Sequence, residues 1–91
     1  MAEIKQGNNK FYIGDSEEQP EAEITFVSAG EDKIDVNHTG VSSNLEGQGV
    51  GTQLVKRVVE YAKENNLKII PSCPFAKKVI DETPEYQDVL A

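Results

Sequence analysis

From Leu45 to Leu54 the chain reads Leu-Glu-Gly-Gln-Gly-Val-Gly-Thr-Gln-Leu, with three glycines in the five positions 47–51. It then runs into a segment where Leu54, Val55, Val58, Val59 and Ala62 recur at helical spacing, while Lys56, Arg57, Glu60, Lys63 and Glu64 fall on the other side. That pattern predicts an amphipathic helix from Val50 to about Asn66 with one stripe to bury. The glycines sit where the first four N–H groups of a helix lack an internal partner, and they leave those groups unshielded by Cβ atoms. The helix dipole adds roughly half a positive charge at the same point, so the loop reads as a phosphate cradle. The other reading is a tight loop whose glycines only permit positive φ.

Two phosphate loops are excluded by spacing. A P-loop needs Lys-Ser/Thr after its last glycine, whereas Thr52-Gln53 follows Gly51 and the first lysine is Lys56. A dinucleotide fingerprint needs a third glycine at the sixth position, which counted from Gly47 is Thr52, and an acid after the next strand, where Pro71-Ser72-Cys73 stands.

Upstream, residues 3–6 and 10–14 read as short strands around the turn Gly7-Asn8-Asn9. After the polar loop from Asp15 to Pro20, Ala22, Ile24 and Phe26 alternate with Glu21, Glu23 and Thr25 as a strand with one wet face. Beyond the turn at Ser28–Asp32, Ile34, Val36 and His38 alternate with Asp35, Asn37 and Thr39, which places the single histidine on the apolar face of a fourth strand. His38 is then either a satisfied core residue or a group beside a reacting centre. Downstream, Asn65-Asn66 stops the helix, and Leu67 to Pro71 is the apolar run of a strand parallel to the fourth, reached by a right-handed crossover. Phe75 to Glu82, with Pro74 in the first turn, and a segment from Thr83 carrying Tyr86, Val89 and Leu90 complete the chain as helices. The expected fold class is α+β: four antiparallel strands, a crossover helix, a fifth strand parallel to the fourth and C-terminal helices. Residues 1–91 read as one domain.

Charge narrows the partners. Residues 1–46 hold ten acids and three bases, residues 47–91 six of each, so the net charge of −7 is N-terminal and nucleic acid is disfavoured. The stretch 47–68 carries four bases against two acids, which suits a phosphate. One cysteine, Cys73, precludes an internal disulfide, and the Met1-Ala2-Glu3 start lacks signal-peptide features, so a cytoplasmic setting is expected. No apolar run is long enough for a membrane span, and no residues stand at metal-ligand spacing.

Glu46-x-x-Gly49-x-Gly51 resembles the coenzyme A pyrophosphate loop of the GNAT acetyltransferases, whose pattern is Gln/Arg-x-x-Gly-x-Gly/Ala before a long helix. His38-Thr39-Gly40-Val41, Pro71-Ser72-Cys73-Pro74-Phe75 and Pro84-Glu85-Tyr86 extend the resemblance to the small single-domain branch, over roughly residues 34 to 90. It implies a trimmed GNAT fold and acetyl transfer from acetyl-CoA to an amine, either a small molecule or a peptide, by a monomer or weak dimer. Thr39, Val41, Glu46, Gly47, Gln48, Gly49, Val50, Gly51, Thr52 and Cys73 would bind the coenzyme between splayed fourth and fifth strands. Cys73, His38 and Tyr86 would serve the reaction, with Cys73 as pocket wall, nucleophile or filler, and Tyr86 as proton donor or packing anchor. Two positions depart from the pattern. Glu46 replaces Arg or Gln, a repulsion of roughly 1 kcal/mol toward pyrophosphate if solvated, and Thr83 replaces a histidine before Pro-Glu-Tyr. The alternative function is a CoA-binding or regulatory module without turnover.

Overall fold

Alternation of apolar and polar residues over short runs produces strands, and the computed structural model, which describes residues 3–91, realises five of them. They are β1 (Lys5–Gly7), β2 (Lys10–Ile13), β3 (Ala22–Ser28), β4 (Lys33–Val41) and β5 (Lys68–Pro71). Met1 and Ala2, on which part of the signal-peptide reading rests, lie outside the described residues. The sheet order is β1-β2-β3-β4-β5, antiparallel throughout except for β4 with β5. Helix α1 (Val50–Glu64) makes the crossover, α2 (Pro74–Glu82) follows β5, and the tail Pro84–Val89 is a 3-10 turn. Strand directions and order agree with expectation.

One sheet face is apolar and carries the core. Phe11, Ile13, Ala22, Ile24, Phe26, Ile34 and Val36 are buried on it, against Leu54, Val55, Val58, Val59 and Ala62 of α1. Fully burying a side chain of this size stabilises by about 1.5–3 kcal/mol, so these residues hold a small domain together without a staple. Tyr61 joins Phe11 and Phe26 with ring centroids 5.6 and 5.4 Å away, and the Arg57 guanidinium lies 4.7 Å from the centre of the Phe11 ring. Asn66 ends α1 in the left-handed region at φ 56°, and the Leu67 N–H returns to Ala62 O at 2.8 Å. Thr83 closes α2 by donating its hydroxyl to Val79 O at 2.8 Å. The Ala91 N–H bonds to Ile69 O at 3.0 Å, so the tail covers the outer edge of β5.

Two irregularities shape the site. The first is in β4, where Val36 faces Phe26 but His38 faces Thr25, leaving Asn37 as an extra residue. A bulge of this kind shifts every later side chain to the opposite face. Thr39 and Val41 accordingly lie opposite Ile24 and Ala22 on the apolar face, and His38 turns outward. The regular alternation read from sequence therefore placed His38 wrongly: its side chain is 58% exposed, on the open face of the sheet.

The second irregularity is the end of β5. Pairing with β4 runs from Lys33–Lys68 to Val36–Pro71 and stops there, where the chain turns and the Ser72 N–H bonds back to Ile70 O at 3.1 Å. One further bond, Cys73 N–H to Val36 O at 2.9 Å, anchors the departing chain. From Asn37 to Val41, β4 has β3 on one side and no strand on the other.

Candidate active site

Backbone groups along a strand point alternately left and right. The Ser42 N–H bonds toward β3, at Glu21 O and 2.8 Å, so the neighbouring main-chain groups of Val41, and likewise those of Thr39, are aimed into the gap left by β5. One end of that gap is the start of α1 and the other is the start of α2.

At the α1 end, Gly49 is the N-cap at φ 74° and no side chain caps the helix. The first intrahelical bond is Gln53 N–H to Gly49 O at 3.1 Å, which leaves the N–H groups of Val50, Gly51 and Thr52 without helical partners. No acid stands in the first turn. Gly47, at φ 82°, and Gly49 both occupy the left-handed region, and a Cβ added at either would meet nothing within 4 Å, so the space above them is open. Gly51 has another reason to be glycine. Its Cβ would come within 2.8 Å of Phe75 Cζ, since the Phe75 ring from α2 lies directly on this turn.

Val41, Glu46, Gly47, Gly49, Val50, Gly51 and Thr52 line a cleft of about 230 Å³, together with Leu45 and Phe75. These last two were not singled out from the sequence. Leu45 stands at the edge of the glycine motif, and Phe75 reads as an ordinary apolar residue of an amphipathic helix. Gln48 belongs to the same loop but folds its amide back to Asn44 O at 3.2 Å. The Glu46 residue is exposed, and its N–H makes only a long 3.4 Å bond to Ser43 O.

At the α2 end, Cys73 is the N-cap residue and only 6% exposed. Its sulfur lies 3.4 Å from Thr39 Oγ1, a contact across 34 residues of sequence that the β4 bulge makes possible. As a thiol Cys73 donates to that oxygen; as a thiolate it accepts from the hydroxyl. Burial pushes the Cys73 thiol up, but the Thr39 hydroxyl and the N–H groups of Ala76, Phe75 and Thr39 outweigh it and hold the group below its ordinary value. An uncapped helix start and a free strand edge thus converge on one sulfur.

The remaining candidates lie elsewhere. His38 rests over Gly40 on the open face, with Nε2 3.9 Å from Glu23 Oε2, while Glu23 also receives Lys10 Nζ at 3.1 Å. It adjoins Thr39 in sequence but faces away from the thiol. Tyr86 lies in the tail after Thr83, beyond the C-terminal end of α2, whereas Cys73 stands at the start of that helix. Burial, then the charges of Glu85 and Glu60, push the Tyr86 hydroxyl above its ordinary value, as an apolar anchor beside carboxylates would show. Thr83, where the resemblance called for histidine, is occupied in closing α2. Among the described residues no group of three His, Cys, Asp or Glu could hold a metal, and no helix is long and apolar enough to cross a membrane.

A sheet that opens after its fourth strand, with a glycine-capped helix start at the opening, is the GNAT-like architecture that the resemblance implies. The family model described as GCN5-related N-acetyl-transferase matches residues 10–89, and the chain belongs to that family. The match begins well before the residues that carried the resemblance. A GCN5-like protein of Staphylococcus aureus, solved in solution by NMR, is 57% identical, superposes with a TM-score of 0.83, and is covered over 88% of its length by 99% of this chain. Protein NATD1 of Xenopus tropicalis is 27% identical over 63 residues, 69% of this chain and 58% of its own length. The human NATD1 is equally similar, with 56% of it covered, so the chain spans little more than half the length of these relatives.

Proposed function

We propose that the chain binds acetyl-CoA in the opening of its sheet and moves the acetyl group to an amine. The observation that carries this is the free edge of β4, which runs from the unpartnered N–H groups of α1 to the Thr39–Cys73 pair. The residues fit the group. Gly47 to Thr52 offer main-chain donors to a pyrophosphate in an open cradle, with the exposed Glu46 carboxylate free to turn to water. Val41 and Thr39 offer main-chain donors and acceptors to the amides of an extended arm, and Cys73 stands where the arm ends.

Acetyl-CoA supplies an acyl carbon activated as a thioester: transfer forms an N–C bond, breaks the C–S bond and frees one proton from the amine. Cys73 lines the thioester end, and the donors that favour its thiolate equip it to take the acetyl group first. His38, one residue from Thr39, faces the opposite side of the sheet from the thiol, so direct proton transfer from an amine at Cys73 is not assigned to it. Tyr86 anchors the tail. The acceptor is a small-molecule or peptide amine.

Calorimetric titration with CoA tests the binding half, and amine-dependent release of free CoA tests the transfer half. Binding without release under a panel of amines would turn the assignment to the regulatory alternative. Absence of binding would end both.

A further inference from the structure

Phe75 is out of place for its kind. The other two phenylalanines, Phe11 and Phe26, are buried at 1% and 5% exposure, whereas Phe75 is 41% exposed. Among the described residues only Val27, far along β3, is comparably exposed for a large apolar side chain. Surface apolar residues are common, but this ring is held by a specific device. Gly51 gives up its Cβ so that the ring can lie on the first turn of α1, with Cζ and Cε2 where a Cβ would sit 2.8 and 2.9 Å away. One side of the ring is thereby fixed, and the ring lines the same cleft as Val41, Leu45 and Val50.

Resting on the coenzyme assignment above, we infer that Phe75 is the residue that selects the pantetheine arm. The wall it makes suits a chain that is apolar along its length, anionic at the α1 end and able to hydrogen-bond to the edge of β4. A nucleotide without such a chain would reach the N–H groups of α1 and leave the ring uncovered. The same turn of α2 that carries the ring also supplies the Phe75 and Ala76 N–H groups to the Cys73 sulfur.

The experiment compares the parent with Phe75→Ala and Phe75→Leu, using CoA and its nucleotide half, 3′-phosphoadenosine 5′-diphosphate, as probes in calorimetry. Removing the ring should weaken CoA by at least about tenfold, the scale of losing an aromatic anchor, while the nucleotide half changes by less than about twofold. Phe75→Leu should recover part of the loss. Alkylation of Cys73 by iodoacetamide gives a second readout: CoA should slow it in the parent and fail to do so in Phe75→Ala at matched occupancy. Equal weakening of both probes, or undiminished CoA binding and protection, overturns the role of Phe75 while leaving the coenzyme site standing. A parent that binds neither probe overturns the coenzyme assignment and this inference with it.

Discussion

The two halves of β4 belong to one strand and do opposite things. From Lys33 to Val36 the strand is paired on both sides, with Ile34 and Val36 buried between β3, β5 and α1. From Asn37 to Val41 it keeps only β3, and every residue is at least partly exposed. The difference arises from one extra residue in the strand and from the turn that takes the opposite chain away after Pro71. Stability belongs to the closed half, and the open half carries unsatisfied main-chain groups that would be a liability at an ordinary sheet edge.

Substitution in the closed half should give the largest effect. Ile34→Ala, at a site 5% exposed, should cost about 2–5 kcal/mol in urea unfolding, whereas His38→Ala in the open half should stay within about 0.5 kcal/mol. Comparable losses at both positions would erase the division.

Next in size is Gly49→Val. A β-branched residue at φ 74° carries strain of roughly 1–2 kcal/mol, and it screens the N–H groups beyond it. CoA affinity measured by calorimetry should fall at least about tenfold while circular dichroism shows the fold retained. Undiminished affinity in a folded variant would move the phosphate cradle away from the start of α1.

Thr39→Val should act on the thiol alone. Without the hydroxyl, Cys73 loses its side-chain donor and its ionisation moves up, so alkylation at neutral pH should slow while the rate well above the thiol range is unchanged. The stability effect has a definite sign. Cys73 ionises more readily folded than unfolded, so its contribution is fully present above the ordinary thiol range near 8.5 and disappears as pH falls through the lowered folded value. The gap in urea midpoint between parent and variant should therefore widen as pH is raised from about 6 to about 9. A constant gap would show that the hydroxyl serves packing only.

Much of this was legible in the sequence. Helical periodicity from Leu54 to Ala62, the glycine loop and the apolar run before Pro71 each declare their structure through local pattern. His38 was misplaced because a bulge leaves no residue signature when three polar residues, Asn37, His38 and Thr39, follow one another. The clue was Val41: regular alternation from Ile34 puts it on the wet face, and only a slipped phase returns it to the core side, where it packs. The Thr39–Cys73 contact depends on that slip, so residue spacing alone could not supply it. Phe75 escaped notice because its exposure is decided by Gly51, 24 positions earlier and on another helix.

The smallest effect expected is that of Tyr86→Phe, and it bears on whether chemistry is confined to the open half of β4. The ring stays partly buried against the core in either residue, so the unfolding midpoint at neutral pH should barely change. The hydroxyl lies near Glu60 and Glu85, in the tail after the far end of α2 from Cys73, and turnover should likewise be unaltered. What the substitution should change is alkaline behaviour. Because Tyr86 resists ionisation more strongly folded than unfolded, its contribution to stability is fully present below the ordinary tyrosine value near 10 and is lost as pH rises through the raised folded value. Phenylalanine has no proton to lose, so the variant should keep a little more of its stability above about pH 10 than the parent does. A fall in amine acetylation with unchanged CoA affinity would place a proton-transfer group at the far end of α2. The open strand edge would then be only part of the catalytic apparatus.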